Sequence, residues 1–105
     1  MRIVVVTHLA SPYQVEFFNS LLGSEAIDFE VVYLHRTSNQ RSWQATPLLH
    51  KHICLDEDPG RFREARHKVI DADLAVFNYY ADRRAYKLLH ARAASGKPWC
   101  FWGER

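Results

Sequence analysis

At 105 residues, 48% of them apolar and 25% charged, the chain has room for one domain around one core. Its 14 basic and 12 acidic residues leave a formal charge of +2, too balanced for the clustered basic face that nucleic acid calls for. No internal repeat or low-complexity run is present, and no stretch approaches the ~20 apolar residues of a membrane span.

The first strand is expected over Arg2–Thr7, where a run of branched apolar residues suits a strand covered on both faces, as in a parallel sheet. That run is too short for the apolar region of a signal peptide. We therefore expect a cytoplasmic chain, with peripheral membrane contact as a further expectation. Ser11 reads as a helix cap, Pro12 as the first helical residue and Gln14 as the far end of a capping box. Val15, Phe18, Leu21 and Leu22 form the expected buried stripe, with Phe17 at its border and Gly23 as the stop. A second strand is expected over Phe29–Leu34. A polar loop anchored by Trp43 then leads to a short third strand, His52–Leu55.

Asp56–Gly60 reads as a turn and Arg61–Ile70 as a helix burying Phe62, Ala65, Val69 and Ile70. The fourth strand is Leu74–Phe77. Asp82 caps the next helix, which runs to Ala94, buries Ala85, Leu88, Leu89 and Ala93, and ends at Gly96. Pro98–Trp102 is the fifth strand. Alternation of this kind implies right-handed crossovers and a parallel sheet. The expected architecture is three-layer α/β, a Rossmann-like doubly wound sheet of about five strands in the order 3-2-1-4-5.

In such a sheet the ligand crevice lies outside the carboxyl ends of the strands, where the order reverses between the first and fourth. His8 and Ser11 fall on one side of it, Asn78, Tyr79 and Tyr80 on the other, and Glu104 and Arg105 follow the fifth strand. His8 has three readings: a structural histidine, a ligand contact, or a base acting near neutral pH. Asn78 either bonds neighbouring backbone or meets ligand. Tyr79 and Tyr80 either stack on a sugar face or seal the sheet edge. Glu104 suits sugar hydroxyls and Arg105 a phosphate. The start of the first helix is a phosphate seat by its dipole, but the turn His8-Leu9-Ala10-Ser11-Pro12 lacks the glycines of a dinucleotide fingerprint.

Arg61, Arg63 and Arg66, and likewise Arg83, Arg84 and Lys87, are interrupted by Glu64 and Asp82, and read as solvated helix faces or as a weak attraction for anionic lipid or phosphate. Cys54 and Cys100 read as separate buried strand thiols rather than a disulfide. His50 and His52 are two apart but lack the further ligands of a closed zinc site, so no metal is expected.

The opening stretch Met1–Leu22, the segment Asp73–Tyr80 and the segment Gly96–Glu104 together resemble the amino-terminal domain of two-domain GT-B glycosyltransferases, most closely glycosyltransferase family 4 (group 1). The resemblance implies that this domain receives the acceptor, while a carboxyl-terminal domain, missing from these residues, holds the nucleotide-sugar donor. Residues 1–105 would then be a truncated amino-terminal half that binds no cofactor of its own and is inactive alone. His8, Asn78 and Glu104 would contribute from the acceptor side, with no catalytic residue assigned. If anomeric configuration is retained, as in that family, no dedicated carboxylate base is required here. The competing reading is a stand-alone α/β ligand-binding or interaction domain that self-associates through an open sheet edge.

Overall fold

The computed structural model describes residues 1–9, 12–20, 27–35, 50–79 and 81–102. Strands β1 (Arg2–Leu9), β2 (Asp28–His35), β3 (His52–Cys54), β4 (Leu74–Phe77) and β5 (Trp99–Phe101) alternate with helices α1 (Pro12–Ser20), α2 (Phe62–Asp71) and α3 (Arg83–Ala94). A short 3-10 turn, Pro59–Arg61, leads into α2. The strands form one sheet in the order β3-β2-β1-β4-β5, and all four pairings are parallel. The expected topology is thus present.

Side chains alternate across the sheet, as strand geometry requires. Val4, Val6, Val32, Leu34, Ala75 and Phe77 face α2 and α3, burying Ala65, Val69, Ala85 and Leu88 with them. Val5, Val31, Tyr33 and Cys54 face the other way, toward Phe18 of α1. Phe18 is buried, as the stripe predicts, and Phe17, expected at its border, is exposed. Val15, Leu21, Leu22, Gly23 and Trp43 lie outside the described side chains.

Three expectations need correction. First, β1 continues through His8 to Leu9, which sits in register with His35 at the end of an equally extended β2. His8 is therefore a strand residue, not the first residue of a loop. Second, Ala93 is exposed, and the buried position beside it belongs to Arg92. Arg92 is fully buried. Its guanidinium donates to the carbonyls of Val69, Ile70, Ala72, Asp73 and Pro98 at 2.6–3.2 Å. Several of these are the carbonyls a helix leaves without partners at its end. Five donors in a planar fork suit that crowd of acceptors. Third, Cys100 is exposed because β5 is an edge strand, its Trp99 and Phe101 exposed with it; Cys54 is buried, and both thiols are free.

α3 begins where Asp82 accepts a hydrogen bond from the Arg84 backbone N–H at 2.7 Å, the expected cap. It ends at Gly96, whose φ of 75° lies in the left-handed region that favours glycine. The basic runs at the starts of α2 and α3 are tempered as expected: Arg61 pairs with Glu64, and Arg84 with Asp82. Among the described residues no helix is long and apolar enough to cross a membrane.

Candidate functional site at the carboxyl rim of the sheet

β1 and β4 are adjacent although α1, β2, β3 and α2 separate them in the chain, so their carboxyl ends mark the reversal of strand order. The Asn78 backbone N–H donates to the Val6 carbonyl at 2.9 Å, carrying the β1–β4 pairing one residue past the end of β4. The buried Thr7 hydroxyl donates to Asn78 Oδ1 at 2.7 Å. Asn78 is expected to bond backbone or ligand; its backbone N–H meets Val6 and its side-chain carbonyl takes the Thr7 hydroxyl. It acts as a bracket between the two strands that flank the crevice.

That bracket brings Tyr79 over His8. Their rings stack with centroids 4.2 Å apart and planes only 8° from parallel. Tyr79 also packs against the core shared with α2 and α3. It therefore supports His8, and the ring face stacked on His8 is not open to a sugar. On its other flank His8 meets the ring of His35 edge-on, at 5.1 Å and 77°. His35 Nδ1 in turn lies 3.6 Å from Asp56 Oδ2, just after β3. The ends of β1, β2, β3 and β4 thus contribute one continuous line, Asp56–His35–His8–Tyr79.

Burial pulls the His8 imidazole below its usual pKa, the neighbouring His35 pushes the same way, and Asp82 opposes them. Burial alone would raise the Asp82 carboxyl, but hydrogen bonds from the Arg84 side chain and backbone outweigh it and hold the carboxyl below its ordinary value. His8 thus favours its neutral form, with one ring N–H to donate and one ring nitrogen to accept.

Of the residues expected at the site, His8, Asn78 and Tyr79 are brought together. Ser11, Tyr80, Glu104 and Arg105 lie outside the described residues. Sequence reading missed His35 and Asp56, one assigned to a loop and the other to a turn. The available signal was positional: both directly follow predicted strands, as His8 does.

His50, two residues before His52, has a structural role. It is buried against aromatic rings. Asn19 Oδ1 accepts from its backbone N–H at 3.3 Å and from Nδ1 at 2.7 Å, which leaves Nε2 to accept from the Tyr33 hydroxyl at 2.8 Å. Burial, with His52 nearby, lowers its pKa to about 4. His50 is a neutral structural tie between α1 and β2. No group of three or more metal-ligating side chains is assembled among the described residues.

Other concavities lie away from the rim. A cleft of about 240 Å³ at the amino ends of the strands is lined by Arg2, Glu30, Lys51 and Lys68. Its basic groups are already engaged, Arg2 with Asp71, Lys51 with Asp28 and Lys68 with Glu30. An apolar groove of about 210 Å³ runs between Phe17, Phe18, Val76 and Trp102, and among the described residues it exposes no polar group to orient a ligand. The carboxyl rim remains the place where fold and chemistry coincide. No protein-family model, curated protein or solved structure matches the chain.

Proposed function

We propose that this chain is the acceptor-side domain of a GT-B glycosyltransferase, which moves a sugar from a nucleotide-sugar donor to an acceptor hydroxyl. The observation that supports it most is the convergence of His8, Asn78 and Tyr79 at the reversal of strand order, on a sheet of the order that the alternation of elements predicts. A fold of this kind hosts many chemistries, so the reading rests on that rim and on the resemblance together. The β1–α1 turn carries no glycine for backbone to approach a diphosphate, which fits a domain that leaves the donor to another.

In this reading the donor-binding domain is the essential partner. The present chain holds the acceptor so that its hydroxyl meets the sugar carbon, a contribution of orientation. Stabilisation of the departing diphosphate comes from the partner domain.

The test is a transfer assay with labelled nucleotide sugars and a panel of acceptors. It is run on residues 1–105 and on the longest polypeptide their reading frame encodes. We expect transfer by the longer polypeptide and none by the 105-residue chain. Absence of transfer from every donor by the longer polypeptide, or transfer by residues 1–105 alone, contradicts the reading.

A further inference from the structure

His35 was not among the residues expected at the rim, yet it occupies its centre. Asp56 stands 3.6 Å behind its Nδ1, and His8 packs against the ring. We propose that Asp56 fixes His35 with Nδ1–H turned toward the carboxylate and the Nε2 lone pair turned to the crevice, where it accepts a hydrogen bond from a hydroxyl of an uncharged ligand. The proposal rests on the acceptor-side reading and narrows it: the group received at this point is a neutral hydroxyl rather than a phosphate.

Two observations carry it. The first is the pairing itself. A carboxylate beside one imidazole nitrogen selects the tautomer protonated there, which leaves the other nitrogen as an acceptor. The separation is long for a hydrogen bond, as is common for such pairs before ligand arrives. The second is the balance of charge. Among the described residues the charged groups beside His8 and His35 include Asp56, Asp82 and Arg84, and Arg84 is already paired with Asp82 at 3.2 Å. Two carboxylates against one guanidinium leave these groups no positive surplus for a phosphate. A hydroxyl, which both donates and accepts, can give its proton to a bare imidazole nitrogen.

The Asp56 side chain is 56% exposed, and an exposed ion pair of this kind adds little stability. Asp56→Asn should therefore leave the fold intact while removing the charge that selects the tautomer.

The test is long-range proton–nitrogen NMR of the histidine rings in the 105-residue chain at pH 7.5, first without ligand. We expect His35 to be protonated at Nδ1 and bare at Nε2, and Asp56→Asn to convert it to a mixture of tautomers with unchanged thermal unfolding. Titration with neutral methyl glycosides should then shift the His35 Nε2 resonance, and inorganic phosphate at equal concentration should not. An Nε2–H tautomer in the native chain, a tautomer indifferent to Asp56→Asn, or a His35 response to phosphate but not to glycosides would overturn the proposal. The ligand-free tautomer is independent of any transfer assay, so the proposal and the transferase reading fail separately.

Discussion

Thr7 and Asn78, 71 residues apart in sequence, are joined by a 2.7 Å hydrogen bond at the point where strand order reverses. The bond closes the floor of the crevice and sets the direction in which the chain leaves β4. Tyr79 comes next and lies flat on His8, so the geometry of the rim depends on this contact. Thr7→Val keeps the shape of the side chain and removes the hydroxyl, at a cost of about 1–2 kcal/mol. A double-mutant cycle with Asn78→Ala, read by urea unfolding, should give a coupling of about 1 kcal/mol. Additive losses would show that the two residues act independently.

Arg92 anchors the opposite end of the domain. Replacing it with Lys retains the charge but loses the planar fork that reaches five carbonyls. With several buried acceptors left short of a partner, Arg92→Lys should cost about 3 kcal/mol or more. Arg92→Met should cost at least as much. Urea midpoints unchanged by either substitution would contradict the role assigned to this side chain.

The pH dependence of stability has a definite sign. Folded His50, with a pKa lowered to about 4, refuses a proton that the unfolded chain takes up near pH 6.5. Its contribution is complete above pH 6.5, falls as the pH drops toward 4, and levels off below. The loss amounts to at most about 3 kcal/mol. His8, also lowered, adds to it in the same direction. Unfolding curves at pH 7.5, 5.5 and 4 should show this decline, and His50→Gln should flatten it. A native chain equally stable at all three values would contradict the buried neutral assignment.

Asp82 serves both fold and site. Asp82→Ala removes the cap of α3, at about 1 kcal/mol. It also removes a neighbouring carboxylate that raises the His8 pKa. NMR titration should find His8 titrating lower in the variant than in the native chain. An upward or absent shift would show that Asp82 does not act on the rim.

Most of the architecture was legible because each element carried its own local signal. The branched run at Val4–Val6, the Asp82 cap and Gly96 each specify structure over a few residues, and the crossover rule assembles them. Arg92 was not legible, since helical spacing marks apolar positions and a buried cation follows from carbonyls contributed by three other segments. His35 and Asp56 were illegible for a related reason. Their pairing depends on how far β2 extends, and β2 gains His35 only through its register with Leu9 of β1. The stacking of His8 and Tyr79 was half legible: position put both at the crevice, but nothing in the sequence showed that they would engage each other.

The central claim is that a saccharide acceptor docks on the carboxyl ends of β1 and β4. Amide chemical-shift mapping of the 105-residue chain during titration with neutral methyl glycosides tests it most directly. The account predicts shifts confined to Thr7, His8, His35, Asn78 and Tyr79 and their immediate neighbours, with the amino-end cleft around Glu30, Lys51 and Lys68 silent. Shifts centred on that cleft or on the Phe17–Trp102 groove, or no response at any concentration, would contradict it.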